Sequence, residues 1–262
     1  MPKFAANLST MFTELEAPER FQAAAAVGFD TVEFLRPYGY PAAEVKQWLA
    51  DAGQRLILIN TSPGDADAGE RGLAAVPGRE ADFRATFDQA LTYASDLGAG
   101  MIHVMAGVVP DGVRPEACDE VFIANLKEVA PIAKEKGVRL MLEPLNLQDV
   151  PGYLHTRTAH TRRIIDAVGN DNVFMQYDLY HMQVMEGNLA ETMRRHWDII
   201  GHIQFSSVPG RHEPQHGEVN IPFMFDVIDD LGYDGWIGCE YGPKTTTLEG
   251  LSWGKPYGLG PR

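Results

Sequence analysis

The chain has 262 residues, 45% apolar and 22% charged, which describes an ordinary soluble globule and excludes a disordered, fibrous or coiled-coil chain. Thirty-six acidic against 22 basic side chains give a net charge of −14, which argues against nucleic acid and anionic membrane as partners and leaves room for a cation. No apolar run reaches the roughly 18 residues of a membrane span, the first residues carry no basic-then-apolar leader, and two cysteines (Cys118 and Cys239) suit a reducing compartment, so a cytoplasmic location is expected.

Short β-rich apolar runs alternate with helical patterns along the whole chain. The strands are expected at residues 4–9, 31–35, 56–60, 101–106, 139–144, 173–177, 201–205 and 235–241, each a run of mostly branched or large apolar side chains, as buried parallel strands require. Helical spacing occupies 19–27, 42–52, 83–97, 116–136, 158–168, 189–199 and 222–231. Pro18, Pro41 and Pro115 stand where helices would begin, and Gly28, Gly53, Gly98, Gly137, Gly169 and Gly232 where they would end. Eight strands joined by helices predict right-handed parallel crossovers closing into a (β/α)8 TIM barrel, a single domain over 1–262. The rival, an open doubly wound sheet, would show a glycine-rich turn after the first strand, and Asn7-Leu8-Ser9-Thr10 is not one. Residues 61–80, rich in Gly, Asp and Pro, are expected as a loop over the barrel mouth, and 254–262 as a poorly ordered tail.

In such a barrel, chemistry belongs at the C-terminal ends of the strands. The fifth run ends in Glu143, the sixth in Asp178, the seventh meets Gln204, and the eighth ends in Glu240. Three converging carboxylates would repel and take up protons unless a cation sat between them. An all-oxygen donor set with no thiolate or imidazole favours a hard ion, Mg²⁺ or Mn²⁺. His181, three residues after Asp178, could face the same mouth, or could be a surface histidine at a helix start. His103, inside the fourth run, could equally be barrel filling or a substrate contact, whereas His155, His160 and His196 are expected to be solvated. His212-Glu213-Pro214-Gln215-His216 matches the letters of a zinc-protease motif, but Pro214 and the preceding Val208-Pro209-Gly210 make the segment a loop.

Several motifs together resemble the hydroxypyruvate isomerase family, one of the xylose-isomerase-like TIM barrels. They are Phe4-Ala5-Ala6-Asn7-Leu8-Ser9, Gly69-Glu70-Arg71-Gly72, Pro77-Gly78-Arg79-Glu80, Glu143-Pro144-Leu145-Asn146, Gln176-Tyr177-Asp178-Leu179-Tyr180-His181 and Gly238-Cys239-Glu240-Tyr241. The resemblance implies the same barrel, a divalent metal held by Glu143, Asp178, Gln204 and Glu240, and Glu143 and Glu240 as the proton-transferring pair. By similarity to ketose epimerases, it also implies that His181 and Arg211 contact substrate oxygens. Residues 59–65 and 103–110 look more like 2-oxo-tetronate isomerases, while Glu143-Pro144-Leu145-Asn146 with Pro151-Gly152-Tyr153 looks more like hydroxypyruvate isomerase.

The reaction so implied converts hydroxypyruvate to 2-hydroxy-3-oxopropanoate through an enediolate, whose charge must be stabilised where it develops. A small hydroxy-oxo acid is an anion, and Arg71, Arg211 and Lys244 are candidate partners for its carboxylate. The alternatives carried forward are a 2-oxo-tetronate isomerase, a ketose 3-epimerase and a catalytically silent sugar-acid binding protein. A metal-assisted hydride shift is the rival to proton transfer, a DNA-repair endonuclease would require a histidine-rich zinc cluster and a basic groove, and assembly into a homo-oligomer stays open.

Overall fold

The computed structural model describes residues 1–261. Eight parallel strands close into a barrel in the order β1 to β8, each pairing with its neighbours in sequence and β8 returning to β1. The strands are β1 (Lys3–Asn7), β2 (Thr31–Glu33), β3 (Arg55–Asn60), β4 (Met101–His103), β5 (Arg139–Leu142), β6 (Val173–Asp178), β7 (Ile200–Phe205) and β8 (Trp236–Cys239). All eight fall within the expected runs or overlap them by all but a residue or two. The helices α1 (Ala17–Ala26), α2 (Ala42–Ala52), α3 (Glu80–Leu97), α4 (Pro115–Glu135), α5 (Thr158–Val168), α7 (Leu189–Arg195) and α8 (Ile221–Asp230) answer the seven helical patterns. Two short helices, α6 (Leu179–Met185) and α9 (Thr247–Gly250), were not expected.

The core lies between the sheet and the helix ring. Phe21 and Phe87 face inward from α1 and α3, and Phe122 and Phe225 from α4 and α8, on the periodic stripe that a barrel helix buries. Inside the barrel, a small apolar plug of Leu58, Met101 and Met141 fills part of the cylinder. Other inward positions on β6 and β7 are polar, Gln176 and Asp178, then His202 and Gln204, while on β8 Gly238 leaves room beside them and Glu240 follows just beyond the strand, every second residue as strand alternation demands.

One irregularity sets that polar layer. Between β6 and β7 the register jumps, Met175 opposing Ile200 but Gln176 opposing His202. The skipped residue is Gly201, where an added Cβ would lie 2.6 Å from the Phe174 Cβ.

The loop 61–79 does lie at the barrel mouth, and it is anchored there. Gly72 bridges to Ala106, and Leu73, Ala74 and Ala75 are buried. A Cβ on Gly72, whose φ is +127°, would stand 2.3 Å from the Met105 carbonyl oxygen, so only glycine permits this approach.

Two expectations are corrected. The tail is packed against the barrel: residues Leu251–Tyr257 form a 3-10 segment, Leu259 is buried, and the Gly260 N–H donates to the Val27 carbonyl. Aromatic rings hold it, Trp253 and Tyr257 lying edge-on to Phe4 at 5.1 and 5.0 Å, whereas Arg262 lies outside the described residues. His155 and His196 are buried, not solvated. His155 stacks on Phe122 and shares a 2.9 Å hydrogen bond with the Thr161 hydroxyl, since its segment folds back against α4 and α5. His160 is partly buried against Asp119 at 2.8 Å.

Candidate active site

A cleft of about 360 Å³ opens at the C-terminal end of the barrel. Glu143 and Glu240, which follow β5 and β8, line it together with His103, His181, Arg211 and Arg71. Asp178, the last residue of β6, and Gln204 on β7 lie behind that surface, fully buried and opposite one another in the sheet. Seven of the eight residues singled out from sequence are therefore brought to one end of the cylinder. Lys244 is not among them: its side chain is exposed, and its backbone N–H is held by the buried Glu213 carboxylate. That carboxylate belongs to the loop carrying Pro214–His216, a 3-10 turn and not the continuous helix a zinc protease needs.

The carboxylates are poorly compensated. Glu143 Oε1 and Asp178 Oδ2 are buried without a hydrogen-bond donor. Among the described residues, Arg211 is the one guanidinium reaching them, with Nη2 3.1 Å from Glu240 Oε1 and 3.5 Å from Asp178 Oδ2, and its charge lies over the Tyr180 ring at 5.0 Å. Arg211 has φ +54°, a left-handed conformation that a non-glycine residue adopts at some cost, often at functional sites.

Burial pushes the Glu240 carboxyl up to about 8 and Asp178 up to about 6, with Arg211 opposing both shifts. Glu143 is raised well above the carboxylate range by burial, then by the charges of Glu240 and Asp178. Carboxyls raised in this way hold their protons to higher pH than exposed ones do.

His181 has a defined tautomer. Its Nδ1 receives the backbone N–H of Asn146 at 3.1 Å and lies 2.8 Å from the Asn146 side-chain nitrogen. The Asn146 amide is itself oriented, because its oxygen accepts the N–H groups of Gln148 and Asp149. A backbone N–H can only donate, so Nδ1 is the acceptor and the ring proton sits on Nε2. Burial holds the ring well below the usual histidine range, so it stays neutral. Nε2–H then faces Glu143 and Asp178 at 3.9 and 3.7 Å. Glu143, Asp178 and His181 offer ligand atoms within 4.8 Å of one another, but with its proton on Nε2 this imidazole presents a donor, not a lone pair. His103, with Nδ1 3.4 Å from Glu143 Oε2, is kept neutral by burial, which lowers its pKa to about 3.

Sequence reasoning missed several residues here. Arg36 lines the cleft from the loop after β2, Asn60 from the end of β3 and Asp149 from the loop after β5. Buried Glu33 in β2 and His202 in β7 were also overlooked, although a carboxylate inside the apolar run Val32-Glu33-Phe34 was a readable signal.

Residues 21–257 match the family model described as "Xylose isomerase-like TIM barrel". The chain belongs to that family. Within it, the chain is 50% identical over 257 residues to a 2-oxo-tetronate isomerase of Cupriavidus necator, covering 98% of this chain and 99% of that protein. It is 43% identical over 257 residues to the hydroxypyruvate isomerase of Escherichia coli, covering 98% of this chain and all of that one. A solved structure from Brucella melitensis, titled AP endonuclease, family 2, superposes with a TM-score of 0.96 at 43% identity, covering 98% and 99% of the two chains. The full-length curated relatives of this xylose isomerase-like barrel carry isomerase names, and the chain is grouped with them as an isomerase.

Proposed function

We propose that this barrel is a metal-assisted isomerase of small hydroxylated 2-oxo acids, working by proton transfer between Glu143 and Glu240. The observation carrying this reading is the group of buried carboxylates at the barrel mouth, two of whose oxygens have no donor. Carboxylates this buried need a cation, and oxygen donors favour a hard one, Mg²⁺ or Mn²⁺. Glu143, Asp178, Glu240 and the amide oxygen of Gln204 would hold it. When bound, it would act as a Lewis acid on adjacent substrate oxygens.

The chain's own groups supply the rest. One of Glu143 and Glu240 removes the proton from the hydroxyl-bearing carbon, the other returns one to its neighbour, and the roles exchange in the reverse direction. His181, neutral and with Nε2–H turned into the cluster, donates to a substrate oxygen that becomes negative in the enediolate. Arg211 lies where it can balance the same charge, while Arg71 and Arg36 at the rim can meet the substrate carboxylate.

The motifs divide between two acids: residues 143–146 and 151–153 favour hydroxypyruvate, whereas residues 59–65 and 103–110, with the 50% identical relative named for 2-oxo-tetronates, set a four-carbon acid beside it. The endonuclease title of the Brucella structure finds less support in the side chains. Among the described residues, the one grouping of metal-ligating atoms offers two carboxylates and a single imidazole. Hydroxypyruvate, a 2-oxo-tetronate and free ketoses, assayed separately with and without Mg²⁺ or Mn²⁺, test the proposal. Turnover of a 2-oxo acid that stops with chelation is expected; turnover of ketoses alone would transfer the chain to the epimerases. Solvent deuterium in the product would distinguish proton transfer from a hydride shift.

A further inference from the structure

Glu33 is the last residue of β2, fully buried, and touches no part of the cleft. Its carboxylate reaches across the barrel to β7. Oε1 lies 2.5 Å from His202 Nε2, and Oε2 accepts from Asn7 Nδ2 at 3.0 Å and from Gln204 Nε2 at 2.8 Å. Gly238 makes the passage possible: a Cβ there would stand 2.3 Å from Glu33 Oε1 and 2.7 Å from Gln204 Cγ. A buried carboxylate in a cylinder that an apolar side chain could fill is costly, so its geometry calls for a reason.

We propose that Glu33 is a positioning residue that fixes which end of the Gln204 amide faces the metal ligands. This rests on the reading of Gln204 as a ligand. The two ends of a carboxamide have nearly the same shape, but one carries lone pairs and the other protons. A carboxylate only accepts, so Glu33 takes the NH₂ end and turns the oxygen away from itself. That oxygen then accepts from Gln176 Nε2 at 2.6 Å and keeps a second lone pair. The opposite orientation would set two oxygens 2.8 Å apart at Glu33 and aim protons at a cation. Asn7 cannot take over Gln204's place on Oε2 by rotating: its own oxygen is held by the Ser9 N–H at 3.0 Å.

Mn²⁺ binding to chelator-treated protein, measured by calorimetry, tests this on wild type, E33L, Q204L and E33L/Q204L. The expected result is a 10- to 100-fold weaker affinity in each single variant, the usual range for losing an outer partner of a metal ligand, with the double variant no weaker than Q204L alone. Near wild-type affinity in E33L alone overturns the positioning role and leaves Gln204 as a ligand. A Glu33 effect that persists undiminished in the Q204L background also overturns it, since a general structural role would act without Gln204. Normal affinity in Q204L removes both readings. If E33L fails to fold by circular dichroism, E33M, which keeps the length of the side chain without its acceptor oxygens and does not crowd Gln204, carries the same comparison, and unchanged affinity there counts against the inference.

Discussion

Arg211→Met isolates the guanidinium that stands between Glu240 and Asp178, because methionine keeps a long apolar stem over Tyr180 and faces the same left-handed backbone. Removing one partner of a buried pair costs about 3–5 kcal/mol. Here the Arg211 side chain is 30% exposed, and the carboxylates can escape by protonating, so about 2 kcal/mol is the appropriate figure for metal-free protein. For a chain of this size, each kcal/mol shifts Tm by about 2–4 °C, so R211M should melt about 4–8 °C lower at pH 8 in chelator. The penalty should shrink at pH 5.5, where the raised carboxyls of Glu240 and Asp178 already hold their protons. Because the guanidinium repels an incoming cation, R211M should bind Mn²⁺ more tightly while turning substrate over more slowly. Scanning calorimetry and Mn²⁺ titration read these quantities separately. A metal-free R211M melting within ~1 °C of wild type at pH 8 would refute the electrostatic account of the site.

Metal binding should tighten as pH rises from about 6 toward about 8, with protons released on binding, because the cation displaces those held by Asp178 and Glu240; calorimetry in buffers of different ionisation enthalpy counts them. The metal-free fold follows the opposite trend. Carboxyl pKa values raised in the folded state give stability that is lost as pH climbs through about 8, so its Tm should fall between ~7.5 and ~8.5, where the buried histidines are neutral in the folded chain and almost wholly so in the unfolded one. Glu143→Gln and Glu240→Gln should each lower kcat by at least ~10²-fold, and near-normal turnover in both would remove the proton-transferring pair. Nitrogen-15 NMR of His181 should report a neutral ring protonated at Nε2 across pH 5–8; an Nδ1–H signal would contradict the Asn146 lock.

The barrel was legible because its signals are local. Eight apolar runs bounded by helix-start prolines and helix-end glycines needed no knowledge of distant contacts. The rim residues followed from position alone: Glu143, Asp178 and Glu240 sit where strands end. What the sequence hid depends on approach in three dimensions. The burial of His155 and the packing of residues 254–261 arise from partners far along the chain, such as Phe122 for His155 and Phe4 beside the tail. Lys244 was chosen for its charge, yet the Glu213 carboxylate holds its backbone and leaves the side chain outside. The tautomer of His181 likewise requires knowing that Asn146 points its N–H at Nδ1.

The jump in pairing beside Gly201 has a consequence for how this molecule could be made or altered. Continued without it, the ladder from Met175 and Ile200 would bring Asp178 opposite Ile203 instead of Gln204. Inserting or deleting one residue in the second half of β6 or β7 would therefore separate the acid from the amide while leaving a barrel that still closes. A cation that binds only when both oxygens are side by side lends its binding energy to the correctly threaded sheet alone. The ion would then check the assembly of the scaffold as well as serve its chemistry, and misthreaded chains should be those that gain no thermal stability when it is added.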